Sequence, residues 1–154
     1  MSRYELFKLF HVVGAIVWVG AGAGLLVLNQ HLVRVKDYDG LLTVGRASQA
    51  LGMRLFVPAS LVTVAFGIAL VMTVPAYRFT DLWILIGFGG IVASGLAQTF
   101  VAERAGKRFL AIVTEHGIDH PNLAVAARGI TRGSTLDVGL LLVVVWAMVA
   151  KPVL

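Results

Sequence analysis

Apolar residues along the chain gather into four long runs, and the segments between the runs carry most of the charge. The runs cover residues 6–28, 56–74, 82–102 and 135–150. A helix needs roughly 20 predominantly apolar residues to cross the hydrocarbon core of a bilayer. The pattern therefore predicts an all-α protein, a bundle of four transmembrane helices that forms a single integral membrane domain in a lipid bilayer.

The connections between the runs differ in length and character. A short turn at residues 75–80 joins the second and third runs, whereas residues 29–55 and 103–134 form long connections that mix arginines with apolar positions. We expect these long connections to be helical, either as cytoplasmic extensions of the membrane helices or as short helices lying on the lipid surface. Their arginines are expected to contact lipid phosphates.

The start of the last run carries the signal of a helix N-terminus. Ser134 is followed three residues later by Asp137, which is the spacing of a capping box. An acidic side chain at that position also interacts favourably with the positive end of the helix dipole. The pattern predicts that the fourth helix begins at Ser134, with Asp137 acting as part of its cap and not as a proton carrier.

Lysines and arginines are distributed unevenly between the two ends of the predicted bundle. Of the 13 in the chain, nine lie in the two long connections. The other four are Arg3, Lys8, Arg78 and Lys151. Because cytoplasmic loops carry an excess of Lys and Arg, we expect a multi-pass membrane protein with the two long connections in the cytoplasm and both termini outside.

Composition and charge exclude several classes of protein. Hydrophobic residues make up 58% of the chain and charged residues 14%, against about 25% charged residues in ordinary soluble domains. The net charge of +5 comes from residues that flank apolar runs, and no nucleic-acid-binding motif accompanies it, so nucleic acid is not expected as a partner. The run at 6–28 exceeds the roughly 7–15 apolar residues of a secretory signal, so we expect an uncleaved first span.

Motifs for hydrolytic, thiol-based or nucleotide-driven chemistry are absent from the sequence. There is no cysteine, which excludes disulfides, zinc–thiolate sites and thiol nucleophiles. The sequence contains no Walker loop, no Gly-x-Ser-x-Gly segment and no dinucleotide-binding fingerprint. We assign no catalytic residue, and the sequence leaves open whether the protein is an enzyme.

The first run contains a histidine, His11, and an ionisable residue inside a membrane span indicates a functional site. At 100° per residue, His11 and Trp18 share one stripe of a helix, with Gly22 close by. Gly14 and Gly22 would leave room beside the imidazole for a porphyrin ring, and haem iron is commonly held by histidine with a second His or Met. We expect a haem b site formed by His11, Gly14, Trp18, Gly22 and Met148, although ordinary helix packing would also explain the stripe.

Two methionines are predicted at the same membrane depth as His11. Met72 lies near the outer end of the second span and Met148 near the outer end of the fourth. Because imidazole and thioether donors together suit Cu(I), a copper site formed by His11, Met72 and Met148 is the alternative prediction. His116 and His120 have the i, i+4 spacing of a metal-binding pair, but the helix this needs is interrupted by a glycine and a proline.

Small residues indicate where the helices approach one another. Gly20 and Gly24 form a Gly-x-x-x-Gly pair that favours close packing. Gly90, Ser94 and Gln98 recur at four-residue steps in the third run, and we expect them to form a packing ridge in which Gln98 bridges two helices. Such faces leave open a third function, that of a non-catalytic accessory subunit in a larger membrane complex or a homo-oligomer.

Three segments resemble the CopD-like superfamily of small bacterial membrane proteins, which includes copper-resistance D proteins and HemJ-type protoporphyrinogen oxidases. The opening segment, residues 7–20 (FKLFHVVGAIVWVG), is similar to the first helix of that superfamily. Residues 53–59 (MRLFVPA) resemble the entry to its second helix. The closing segment, residues 146–152 (WAMVAKP), is most similar to its uncharacterised members.

The resemblance implies a four-helix bundle in a bacterial cytoplasmic (inner) membrane and, by analogy with HemJ-type members, haem b held by the histidine of the first helix. The matching position in this chain is His11. HemJ-type members also carry a basic residue in the third helix, whereas this chain has no Lys, Arg or His between Asp81 and Glu103. The resemblance therefore implies haem binding or copper handling, but it does not extend to the oxidase activity.

Overall fold

A computed structural model describes residues 1–152 of the chain, and these residues form four long helices joined by short turns. We label the helices α1 (Arg3–Val35), α2 (Tyr38–Thr73), α3 (Leu82–His116) and α4 (Leu123–Ala150). Each is long and apolar enough to cross a membrane, and no strand occurs in the described part of the chain. The prediction of an all-α bundle with four spans is confirmed.

All four helices continue beyond their apolar runs at the same end of the bundle. The 33 residues of α1 correspond to a length of about 50 Å, whereas the hydrocarbon core of a bilayer is about 30 Å thick. We call the end with the α1–α2 and α3–α4 turns the loop end, and the opposite end, with both chain termini, the terminal end. The long connections are therefore extensions of the membrane helices and not separate surface helices.

The extensions stay helical because they enclose a hydrophobic core of their own at the loop end. Its buried members are Leu32, Leu41, Phe109, Leu123, Ala126 and Ala127. The Tyr38 ring packs on this core, with its centroid 6.3 Å from that of Phe109. Burial of these side chains favours packing of the four extensions against one another over their spreading on a lipid surface.

The predicted start of the fourth helix is wrong. Helix α4 begins at Leu123, and both Ser134 and Asp137 lie well inside it. The residues before Ser134 are rich in alanine and arginine, which are strong helix formers, and Leu123 is fully buried in the loop-end core. Asp137 is therefore not a cap, and its side-chain oxygen accepts a hydrogen bond from the Ser94 hydroxyl on α3.

Helix packing depends on small residues at the α1–α2 interface and at the α3–α4 interface. Helix α1 packs against α2 and α4, and α3 packs against α4. At the α1–α2 interface, a Cβ atom added to Gly14 would lie 2.6 Å from Oγ1 of Thr63. Gly20 and Gly24 have no neighbouring atoms within 4 Å of an added Cβ, so this pair makes no close helix contact within the described chain, and a helix partner for it stays a prediction.

Two π-helical turns interrupt the hydrogen-bonding pattern of α2 and α3. They occupy Gly52–Phe56 and Gln98–Ala102, where the membrane halves meet the extensions. Each turn accommodates one additional residue and changes which side chains face the neighbouring helix. In α3 the turn exposes Gln98 and buries Ala102, so the expected bridge through Gln98 is wrong, whereas Ser94 contacts α4 as expected of the ridge.

Candidate functional site

His11 is held by a hydrogen bond to the backbone of the neighbouring helix. Its Nδ1 atom lies 2.7 Å from the carbonyl oxygen of Thr63 on α2. Because a carbonyl oxygen only accepts hydrogen bonds, Nδ1 of the neutral imidazole must carry the ring proton. The other ring nitrogen, Nε2, then keeps its lone pair and is the atom that can bind a metal.

The surface of α2 is shaped to receive the imidazole. A Cβ atom added to Gly67 would lie 3.0 Å from Cε1 and 3.1 Å from Nδ1 of His11, so the ring rests directly on this glycine. One turn away, Thr63 is 6% exposed, and its hydroxyl donates to the Ala59 carbonyl at 2.8 Å. The α1–α2 interface thus fixes both the position and the tautomer of His11.

An apolar cleft of about 710 Å³ lies beside His11, in the half of the membrane nearest the terminal end. It is lined by all four helices: His11 and Trp18 come from α1, Gly67 from α2, Gly87 from α3 and Met148 from α4. Helices α1 and α4 pack against each other, and α2 and α3 flank this pair. The membrane halves of α2 and α3 make few contacts with each other, which leaves room for the cleft. This arrangement can hold a planar apolar ligand next to an imidazole.

Lysines and aromatic residues surround the part of the cleft nearest the terminal end, which we call the mouth. The lining there includes Tyr4, Lys8, Tyr77, Trp83 and Lys151. The ammonium group of Lys151 donates to the Tyr77 hydroxyl at 2.6 Å. Aromatic and basic side chains of this kind are enriched where a membrane meets water, so the mouth has the composition of an interface and the deeper cleft that of a membrane interior.

Comparison with protein families decides the class of the chain. The model of DUF2269, described as a predicted integral membrane protein, matches residues 5–152. The chain belongs to the DUF2269 family. A search of curated proteins and a search of solved structures gave no match. The DUF2269 protein is therefore an integral membrane protein, in agreement with its four candidate spans.

The structure of the DUF2269 protein brings together three of the residues predicted for the haem site. His11, Trp18 and Met148 all line the cleft. Gly14 lies instead in the α1–α2 interface under Thr63, and an added Cβ at Gly22 would be 3.8 Å from a methyl group of Val138 on α4. These two glycines allow α1 to approach its neighbours and do not form the wall of the cleft.

The structure does not bring together the three residues of the predicted copper site. Met72 is 76% exposed and is not among the residues that line the cleft with His11 and Met148. The Met148 side chain projects from α4 towards Gly87 on α3. Within residues 1–152, no group of three or more His, Asp or Glu side chains is placed to hold a metal ion.

The second pair of histidines lies at the loop end of the DUF2269 protein. As expected, α3 stops at His116, and Gly117 follows with a φ of 81°. The His116 and His120 ring centroids are 4.7 Å apart, but Nδ1 of His120 accepts a hydrogen bond from the Asn122 amide at 3.3 Å. In a neutral His120 ring the proton is then on Nε2. Because Nδ1 is already occupied by this hydrogen bond, neither ring nitrogen has a lone pair available for a metal ion.

Sequence reasoning missed the two residues of α2 that position His11. Thr63 and Gly67 are four residues apart and lie on one face of the second span. The available signal was the position of Gly67, a small residue one turn from Thr63 in an otherwise bulky apolar run. The sequence did not indicate that this face of α2 meets the histidine of α1.

Proposed function

We propose that the protein binds haem b in the cleft, with Nε2 of His11 as an axial ligand of the iron, and that it is a redox-associated membrane protein. The observation that carries the proposal is the hydrogen bond of 2.7 Å between Nδ1 of His11 and the Thr63 carbonyl. Metal-binding histidines almost always donate their other ring N–H to a carboxylate, a backbone carbonyl or water. The bound haem would supply one-electron chemistry.

The size and lining of the cleft support this ligand. Its volume of about 710 Å³ lies within the range of roughly 300–1,000 Å³ that is typical of small-molecule sites. Gly67 and Gly87 allow the His11 ring and the Met148 side chain to lie close against α2 and α3, and Trp18 offers an aromatic surface. Met148, which also lines the cleft, would provide a thioether as a further ligand, and methionine with histidine is an established haem pair.

The geometry favours haem over copper. Only His11 and Met148 of the three predicted copper ligands line the cleft, since Met72 lies on the outer surface. Two donors leave Cu(I) without the third ligand that the copper prediction required. The resemblance to CopD-like proteins and the role of accessory subunit stay predictions, and the experiment below distinguishes between the ligands.

The experiment is an absorption spectrum of the full-length protein purified in mild detergent, before and after haem addition. We expect a Soret band for the wild-type protein and its loss in His11→Ala. His31→Ala is the matched control, because His31 lies on the same helix but is exposed near the loop end. A wild-type protein that stays colourless after haem addition, or a His11→Ala variant with an unchanged band, would overturn the proposal. Cu(I) binding by a colourless protein would favour the copper alternative.

A further inference from the structure

Each of two walls of the cleft carries a lysine close to its candidate axial ligand. Lys8 lies three residues before His11 on α1, and Lys151 lies three residues after Met148 at the end of α4. Lys8 and His11 share one face of α1 because they are three residues apart, and both lysines line the cleft together with the two candidate ligands. The charges therefore lie at the mouth, on the terminal side of His11 and Met148.

The Lys151 side chain is held over the mouth by two aromatic rings. Its ammonium nitrogen donates to the Tyr77 hydroxyl at 2.6 Å and lies 4.6 Å from the centroid of the Tyr77 ring and 5.4 Å from that of Trp83. On the neighbouring helix α1, Nζ of Lys8 lies 5.9 Å from the Tyr4 ring centroid. Contacts with aromatic faces stabilise a cation, so the lysines are oriented before a ligand arrives.

The backbone at Lys151 also has an unusual conformation. Its φ is 45° and its ψ is 58°, in the left-handed region, which is sterically costly for an L-residue. Lys151 precedes Pro152, and a residue before proline normally adopts an extended conformation. The aromatic contacts of the side chain help to offset this cost, and the turn directs the ammonium group back towards the cleft.

We propose that Lys8 and Lys151 form a two-point clamp for carboxylates at one edge of the ligand. The ligand class is then a flat, apolar diacid whose acidic edge lies at the mouth and whose body lies deeper, beside His11. This inference rests on the proposed function and deepens it, because haem b carries two propionate groups on one edge. A lysine that merely extends its charge to lipid headgroups would not distinguish a diacid from its neutral ester.

The clamp is tested without iron, so that axial ligation plays no part. The full-length protein in mild detergent is titrated with protoporphyrin IX and with its dimethyl ester, and binding is followed by porphyrin fluorescence. We expect the diacid to bind about tenfold more tightly than the ester, which corresponds to about 1.4 kcal/mol. Lys8→Gln and Lys151→Gln should each weaken binding of the diacid about threefold to tenfold and leave binding of the ester unchanged.

Three further variants make the result unambiguous. Lys107→Gln is the matched control, since Lys107 lies in the loop-end extension and pairs with Glu103 at 3.7 Å. Lys8→Arg keeps the charge and should retain the preference for the diacid. His11→Ala should also retain that preference, although it loses the haem Soret band.

The outcomes separate the clamp from axial ligation. Suppose that the preference for the diacid depends on the two lysines but the haem spectrum is unchanged in His11→Ala. That result supports the clamp and overturns the proposed ligation by His11. Equal binding of diacid and ester, or lysine variants that match Lys107→Gln, overturns the clamp whatever the haem spectrum shows. Failure of the wild-type protein to bind either porphyrin also overturns the clamp.

Discussion

The Ser94 hydroxyl on α3 donates a hydrogen bond to a side-chain oxygen of Asp137 on α4. The surrounding α3–α4 interface consists of small and apolar residues, including the close contact between Gly133 and Ala102. Ser94 is only 3% exposed. Because an unsatisfied polar group is costly away from water, this hydrogen bond fixes the register of α3 against α4 more specifically than the apolar contacts do.

The first prediction concerns this hydrogen bond. Ser94→Ala should lower the free energy of unfolding by about 1–2 kcal/mol, because it leaves Asp137 without its hydrogen-bond donor. The measurement is thermal unfolding in detergent. Ser60→Ala is the control, since the Ser60 hydroxyl donates only to Val57 of its own helix, at 2.9 Å. Equal midpoints for the two variants would show that the interhelical bond contributes nothing measurable.

A second prediction tests the glycine beneath the imidazole. In Gly67→Ala the new methyl group would lie 3.0 Å from Cε1 and 3.1 Å from Nδ1 of His11, so the ring must shift from the position in which it bonds to the Thr63 carbonyl. Changes to groups that orient a metal ligand typically cost about tenfold to a hundredfold in affinity, and we expect a loss of haem affinity in that range by spectroscopic titration. Gly24→Ala should have no effect, because nothing lies within 4 Å of its added Cβ. Unchanged affinity in Gly67→Ala would argue against the role assigned to Thr63.

The third prediction addresses helix packing alone. A Cβ atom at position 133 would lie 2.6 Å from the backbone nitrogen of Ala102 and 2.7 Å from its Cα. Gly133→Ala should therefore destabilise the bundle by about 1–3 kcal/mol, since backbone atoms must shift to accommodate the methyl group. Gly139→Ala, on the same helix, has open space around the added Cβ and should be neutral or stabilise by up to about 1 kcal/mol. Unfolding midpoints in detergent that fail to separate the two variants would contradict the described interface.

The fourth prediction compares the two methionines. Replacing a haem-ligating methionine removes a ligand that raises the reduction potential, so Met148→Leu should lower the midpoint potential in a spectroelectrochemical titration. Met72→Leu should leave the potential unchanged, because Met72 is 76% exposed on the outer surface. If both variants keep the wild-type potential, Met148 is not an axial ligand, although His11 can still be one.

Sequence reasoning predicted the number and nature of the helices because the thickness of a bilayer sets their length. It failed at the start of α4, where the capping signal at Ser134 and Asp137 competed with the strong helix formers before it. The deciding factor was tertiary: Leu123, well before Ser134, is fully buried in the loop-end core. A local pattern cannot report that burial.

The candidate site could be predicted only in part. The position of His11 inside an apolar run was visible, because a single ionisable residue stands out there. Its partner Thr63 is separated from it by 52 residues along the chain, and no local pattern connects the two. The exposed position of Met72 was not visible either, since membrane depth can be estimated from a sequence more easily than the direction in which a helix face points.

The π-helical turn in α3 determines how the two halves of the protein are oriented about their long axis. Each residue of an α-helix advances the helix by about 100°, so one extra residue in a regular helix would rotate everything beyond it by that angle. The wider turn at Gln98–Ala102 takes up such a residue, so Ser94 can meet Asp137 while Phe109 still faces the loop-end core. The turn therefore keeps the two cores of the bundle aligned along one continuous helix, and a residue inserted into the regular part of α3 between them would twist one core against the other.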